Sequence, residues 1–210
     1  MEETTEKKPE QKWLPLEANP DVWNDIVHKL GVSPKWNYTD VYEKYEKFKE
    51  QEEAKLTKLE QNISPNVVFF KQTISNACGM IALLHSLANN DDDIIGPGLL
   101  HELIEKSRSM SPDERAELLE NSKELAKVHQ LAANDGQTQA PSLDEDINLH
   151  FICFVDVDQH LYELDGRKLF PINHGKCTDL VEGAVKFMKQ YMERDPDQSN
   201  YSAIALCKTD

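Results

Sequence analysis

Residues 67–87 read Val67-Val68-Phe69-Phe70-Lys71-Gln72-Thr73-Ile74-Ser75-Asn76-Ala77-Cys78-Gly79-Met80-Ile81-Ala82-Leu83-Leu84-His85-Ser86-Leu87. Val67 to Phe70, set off by the punctuation of Asn62 to Pro65, has the β-branched and aromatic content of a short buried strand. Met80 to Leu87 is almost wholly apolar, at a length that favours a buried helix. The polar turn between them delivers Cys78 to the helix start. There a thiol feels the positive end of the helix dipole and nearby backbone N–H groups, which favour the thiolate and predict a lowered pKa. The plainer reading, a buried core cysteine, stands beside it, and a second group is needed to choose.

The second group lies downstream. Leu149 to Val155 and His160 to Asp165 read as two strands joined by Asp156-Val157-Asp158-Gln159. Pairing centred on Val157-Asp158 sets His150 directly opposite Asp165, with Cβ atoms about 4.5–5.5 Å apart on one face. A carboxylate that accepts from one imidazole nitrogen fixes the tautomer and leaves the other nitrogen to take a nucleophile's proton. A one-residue slip would put the two on opposite faces, and a satisfied polar pair has the same spacing. His85, inside the apolar helix, reads as a core residue rather than a base. His174, in the Pro171 to Gly175 turn, reads as a hydrogen-bonding group. His101, His129 and His160 carry no partner pattern.

Working outward, 210 residues suit one domain. The formal net charge of −15, concentrated in residues 91–165, repels phosphate backbones and anionic lipid and favours a basic protein or peptide as partner. No apolar run approaches the roughly 20 residues that span a bilayer. Residues 1–12 read as a disordered lead without a secretory h-region. Cys78, Cys153, Cys177 and Cys207 form no C-x-x-C pair, so neither a disulfide scaffold nor a zinc site is implied, and a cytoplasmic or nuclear compartment fits. Val22, Trp23, Ile26, Val27 and Leu30 mark a helix stopped by Gly31. Residues 40–60 are densely charged and read as an exposed helix or loop. Leu99 to Lys106 is a short helix, and the capping box at Ser111 to Glu114 opens another running to about Gln130. Residues 132–146 are a long loop. A helix from Asp179 to about Glu193 and a closing strand from Tyr201 to Cys207 complete an α+β domain.

Four blocks in order then carry a resemblance: Val68 to Gly79, Leu149-His150-Phe151, His160 to Arg167, and Phe170 to Gly175. Together with Trp13 to Pro20 and Ala203 to Leu206, they closely resemble the small, single-domain ubiquitin carboxyl-terminal hydrolases. The resemblance implies a papain-like cysteine-peptidase fold over residues 13–210, with a central antiparallel sheet flanked by helices and a knotted backbone. It implies Cys78 as nucleophile, His150 as general base and acid, Asp165 as the group orienting the imidazole, and Gln72 as an oxyanion donor beside the Cys78 N–H. Residues 132–148 match a crossover loop over the site. Glu17, Asp21, Leu143, Asp144, Asn173 and His174 correspond to substrate contacts. The implied activity is thiol-dependent cleavage after the C-terminal glycine of ubiquitin, or of a close ubiquitin-like modifier, in small adducts or precursors. The enzyme would be a monomer needing no metal or organic cofactor, with no nucleic acid or membrane partner. One departure stands out: after Tyr42 the chain runs straight into Glu43-Lys44-Tyr45, where the family ordinarily continues into an aliphatic strand. A central strand is therefore expected to be missing, and the alternative reading is a catalytically impaired ubiquitin-binding or regulatory form.

Overall fold

The computed structural model describes residues 13, 14, 16, 19–41, 61–90, 92–134, 150–194 and 201–208. The lead 1–12, the charged segment 42–60, residues 135–148 of the expected crossover loop and Leu149 lie outside them, while 132–134, expected in that loop, end a helix instead. Helix α1 (Pro20–Lys29) starts where the Asn19 side chain accepts the Asp21 N–H, and it buries Val22, Trp23, Ile26 and Val27. Gly31, at φ 101°, turns the chain in the left-handed region just past the helix. Strand β1 (Trp36–Val41) follows, then α2 (Cys78–Ala88), in which every residue but Ser86 is buried. Around α2 stand α3 (Leu99–Arg108), α4 (Pro112–Asn121) and α5 (Lys123–Asn134). Strands β2 (Cys153–Val157), β3 (His160–Leu164) and β4 (Ile172–Lys176), helix α6 (Leu180–Arg194) and strand β5 (Ala203–Lys208) complete the α+β fold. Among the described residues no helix is long and apolar enough to cross a membrane.

Several expectations change in detail. The capping box at Ser111 and Glu114 is present with both hydrogen bonds, but the helix it opens does not run to Gln130. Ser122 leaves helical geometry, and its hydroxyl accepts the Leu125 N–H, so one predicted helix becomes α4 and α5. Val67 to Phe70 is buried as expected yet pairs with no strand among the described residues. Val67 N–H donates to the Ser64 carbonyl, and side chains meet much of the rest. Val68 N–H donates to Asn89 Oδ1 at 2.7 Å, Asn89 Nδ2 donates to the Val68 carbonyl at 2.8 Å, and Arg115 Nη1 donates to the Phe69 carbonyl at 3.1 Å. Phe70 N–H donates to His85 Nε2 at 2.9 Å, which gives His85 the core role the sequence suggests.

The hairpin is real, but its strands are shorter than expected, leaving His150 and Asp165 just outside β2 and β3, and its register differs. Its turn is the two residues Asp158 and Gln159, both left-handed at φ 52° and 62°, and Val157 faces His160 while Cys153 faces Leu164. This is two places from the expected pairing, and an even shift leaves each side chain on its original face. The Pro171 to Gly175 region is not merely a turn: β4 pairs with β3 across an irregularity between His160 and Tyr162. Among the described residues the strands form two antiparallel sheets, β1-β5 and β2-β3-β4, rather than one.

Two buried histidines tie this fold to pH. Burial pulls His85 down to about 3 and His129 down to about 4. The His129 imidazole packs on Trp13 with ring centres 4.6 Å apart and donates from Nε2 to the Leu14 carbonyl, so it holds the N-terminal segment. Both folded pKa values lie below the ordinary 6.5, so the unfolded chain takes up these protons first. Their contribution is complete above pH 6.5 and is lost as pH falls, at up to ~1.4 kcal/mol per pH unit for each group. The urea midpoint should therefore drop steadily from pH 6.5 to 5, and a flat midpoint across that range contradicts the assignment.

Candidate active site

Cys78 is the first residue of α2, and the turn that delivers it bends through Asn76 in the left-handed region at φ 60°. Ala77 is the N-cap and offers no side-chain acceptor, so no side chain caps the first N–H groups of the helix. Leu16 packs so closely on the helix start that a Cβ on Gly79 would meet the Leu16 Cβ at 3.0 Å. This enclosure overturns the expected thiol acidity. Burial raises the Cys78 pKa, and the Phe151 backbone N–H, the Arg167 charge and the N–H groups of Gly79 and Cys78 offset it only in part. The helix start is where the sequence put it, but desolvation outweighs the dipole.

The Phe151 amide beside the thiol is bonded to His150, so Cys78 and His150 share one corner of the structure. The Phe151 ring packs on Trp23 of α1 with centres 5.3 Å apart, which steadies this segment ahead of β2. His150 Nε2 donates to Asp165 Oδ1 at 2.6 Å, with the two side chains 4% and 0% exposed. Asp165 Oδ1 also accepts the Arg167 N–H at 2.9 Å. The next residue, Gly166, accepts the Gln72 N–H at 2.8 Å. A Cβ on Gly166 would lie 2.7 Å from Ile81 Cγ2 and 3.0 Å from Gln72 Cβ, so the close approach of the two segments needs glycine there. Gln72 Nε2 spends one N–H on the Ile74 carbonyl at 3.2 Å and has a second to give. A buried thiol, an imidazole oriented by a carboxylate, and N–H donors at a helix start can together carry out nucleophilic acyl transfer.

The remaining candidates are dispersed. Asp21 lies exposed in the first turn of α1, while Glu17, Leu143 and Asp144 are outside the described residues. Asn173 turns its side chain inward, donating to the Asn62 carbonyl at 2.7 Å and to the Tyr162 hydroxyl at 3.2 Å. His174 is 7% exposed, stacks on Phe187 at 3.8 Å and donates to Glu163 Oε2 at 3.0 Å. Glu163 is fully buried and also receives Lys168 Nζ at 2.6 Å and the Tyr191 hydroxyl. Burial alone would raise its carboxyl, but the His174 hydrogen bond and the Lys168 charge outweigh it and hold the pKa below the usual range. Sequence reasoning did not find this network, nor Arg167 as a charge near the thiol. The alternation of Tyr162 and Leu164 around Glu163 in a buried strand was the available signal.

The family described as ubiquitin carboxyl-terminal hydrolase, family 1, matches residues 13–47 and 43–193. The chain belongs to this family. A ubiquitin carboxyl-terminal hydrolase of Drosophila melanogaster is 37% identical over 220 residues, covering 92% of this chain and 96% of the fly protein. The human isozyme L1 is 34% identical over 222 residues, covering 92% of this chain and 97% of its own. Among solved structures, the catalytic domain of Trichinella spiralis UCH37 bound to ubiquitin vinyl methyl ester superposes with a TM-score of 0.73 at 23% identity, covering 96% of this chain and 97% of that one. It shares the fold. The two family-matched pieces meet at 43–47, and each alignment spans more positions than the whole 210-residue chain, so the relatives hold residues this hydrolase lacks.

The raised Cys78 pKa gives this hydrolase a measurable resting state. Site-resolved iodoacetamide labelling, with exposed Cys207 as internal reference, should accelerate at Cys78 by about a hundredfold between pH 7 and 9, because the thiolate fraction grows tenfold per pH unit below the pKa. A pH-independent rate across that range would mark a preformed thiolate instead.

Proposed function

We propose that this protein is a cysteine-type ubiquitin C-terminal hydrolase that cleaves the bond after the terminal glycine of ubiquitin or a close ubiquitin-like modifier in small adducts or precursors. The 2.6 Å contact of His150 Nε2 with Asp165 carries the reading, since it orients the imidazole that adjoins the Cys78 corner. Because Nε2 is committed to Asp165, proton exchange with the thiol falls to Nδ1. The buried thiol starts protonated, so the substrate carbonyl is attacked as the proton passes from Sγ to His150. The resulting oxyanion is met by the Cys78 N–H and the second Gln72 amide hydrogen. The leaving amine takes the proton from His150, and a thioester to Cys78 remains. Water, deprotonated by His150, then releases the glycine carboxylate and restores the thiol.

The net charge of −15, densest in residues 91–165, supports a basic tail as the segment drawn into the site. The four cysteines are free thiols, which fits a reducing compartment, cytoplasmic or nuclear. A second reading, ubiquitin binding without turnover, has one observation in its favour: β2, which follows directly from His150, lies at the edge of its sheet.

Steady-state cleavage of a ubiquitin C-terminal fluorogenic amide separates the two readings. The hydrolase should turn over, Cys78→Ala should abolish turnover, and Asp165→Asn should lower kcat by about 10³-fold or more through loss of the correct tautomer. A ubiquitin electrophile should label wild-type Cys78 and leave Cys78→Ala unlabelled. A folded preparation that binds ubiquitin but neither labels nor turns over establishes the second reading.

A further inference from the structure

A cleft of about 350 Å³ opens between two strand edges on the far side of β2 from β3. Its long walls are residues 151–156 and 202–207, so it follows β2 on one side and β5 on the other. Ala82 and Ser86 of α2 line it, as do Val181, Val185 and Met188 of α6. Among the described residues β2 pairs only with β3 and β5 only with β1, so both strands turn unpaired backbone donors and acceptors toward the cleft. The outer edge of β1 is treated differently. There the Asn24 side chain accepts the Tyr38 N–H at 2.6 Å and donates to the Tyr38 carbonyl at 3.1 Å, closing that edge as a strand would. At the cleft, apolar surface stays in contact with water: Val181 is 53% exposed and Leu180 38%.

We infer that this cleft receives one extended, uncharged aliphatic segment of another polypeptide, which adds as a strand between β2 and β5 and joins the two sheets into one. The occupant is extended because both walls are strand edges, whose groups are satisfied by β-augmentation. It is aliphatic at successive positions because α2 and α6 supply lining residues, and a strand covered on both faces buries side chains of both parities. It comes from another polypeptide because no segment outside the described residues has that character. Residues 42–60 never run more than two positions without a charge, and 1–12, 135–149 and 195–200 contain no aliphatic run. Burying their charges in such a site would be costly. The cleft wall begins at Phe151, beside His150, so a strand seated there braces the segment that holds the imidazole.

The test uses the purified full chain and a fluorescein-labelled synthetic peptide. The peptide is an uncharged segment of Val, Ile and Leu, about six residues long to match the strand edges, with blocked ends. Anisotropy should show saturable binding, and a control peptide with alternate residues changed to Lys should not bind. Amide hydrogen exchange should slow in both 153–157 and 203–208 when the peptide is added. Val181→Glu, at an exposed position, should weaken binding by about tenfold or more with the melting temperature unchanged, because it sets a charge in the apolar lining. The inference is overturned if the peptide binds no better than its Lys control, or binds without protecting both edges. It is also overturned if the edges are already protected in the isolated chain, by its own segments or by a second copy seen in sedimentation. Binding is read without any hydrolysis, so failure of this inference and failure of the proposed activity are separate results.

Discussion

Buried backbone with no neighbouring strand among the described residues is the constraint on which the rest of the structure depends. Residues 67–70 cross the core beside α2, and an unsatisfied buried N–H or carbonyl costs about 1–3 kcal/mol. His85, Asn89 and Arg115 meet that demand from α2 and α4. The Phe70 N–H needs an acceptor, so His85 must keep Nε2 unprotonated, and the same burial that pulls its pKa to about 3 keeps it so. With Phe70 held, the following residues are held too. Gln72 N–H reaches the Gly166 carbonyl, one residue past Asp165, and six residues on from Gln72 the chain enters α2 at Cys78. Thiol, amide and carboxylate are thus positioned through the backbone of one satisfied segment.

The two sides of β2 contrast with this economy. Toward β3 and β4 the buried Glu163 carboxylate is met on several sides, by Lys168 Nζ, His174 Nε2 and the Tyr191 hydroxyl. That network uses the side chain of His174 on one face of the sheet, and Tyr162 is joined to Asn173 on the other. Toward β5, among the described residues, the edge has no strand partner and faces an apolar cleft. His150 stands at the head of β2, where the rigid side and the open side meet. The site therefore inherits precise orientation from Asp165 and limited lateral support from the cleft.

Much of the site was legible in local pattern. A polar turn running into an apolar octad placed Cys78 at a helix start, and Gly31 and the Ser111 box marked helix ends through the backbone geometry those residues favour. His150 and Asp165 were matched although the register was two places off and both residues fall just outside the strands, where the segments flanking the hairpin bring them together. Other features escaped because distant partners decide them. Val67 to Phe70 has strand composition, but its hydrogen bonds go to side chains 15 to 46 residues away. His129 looked partnerless because its partner, the Leu14 carbonyl, lies 115 positions earlier.

By itself, then, the sequence determined the helix that carries the thiol, the hairpin beside it and the chemistry of the reactive groups, since these follow from residue type and short-range periodicity. Only the tertiary structure decided the protonation state of the thiol and which strand edges stay open. Desolvation at Cys78 is summed over Leu16, the α2 turn and the Phe151 segment. The open cleft between β2 and β5 exists only when strands nearly fifty residues apart are set facing one another. Neither quantity is local, and no window of sequence contains it.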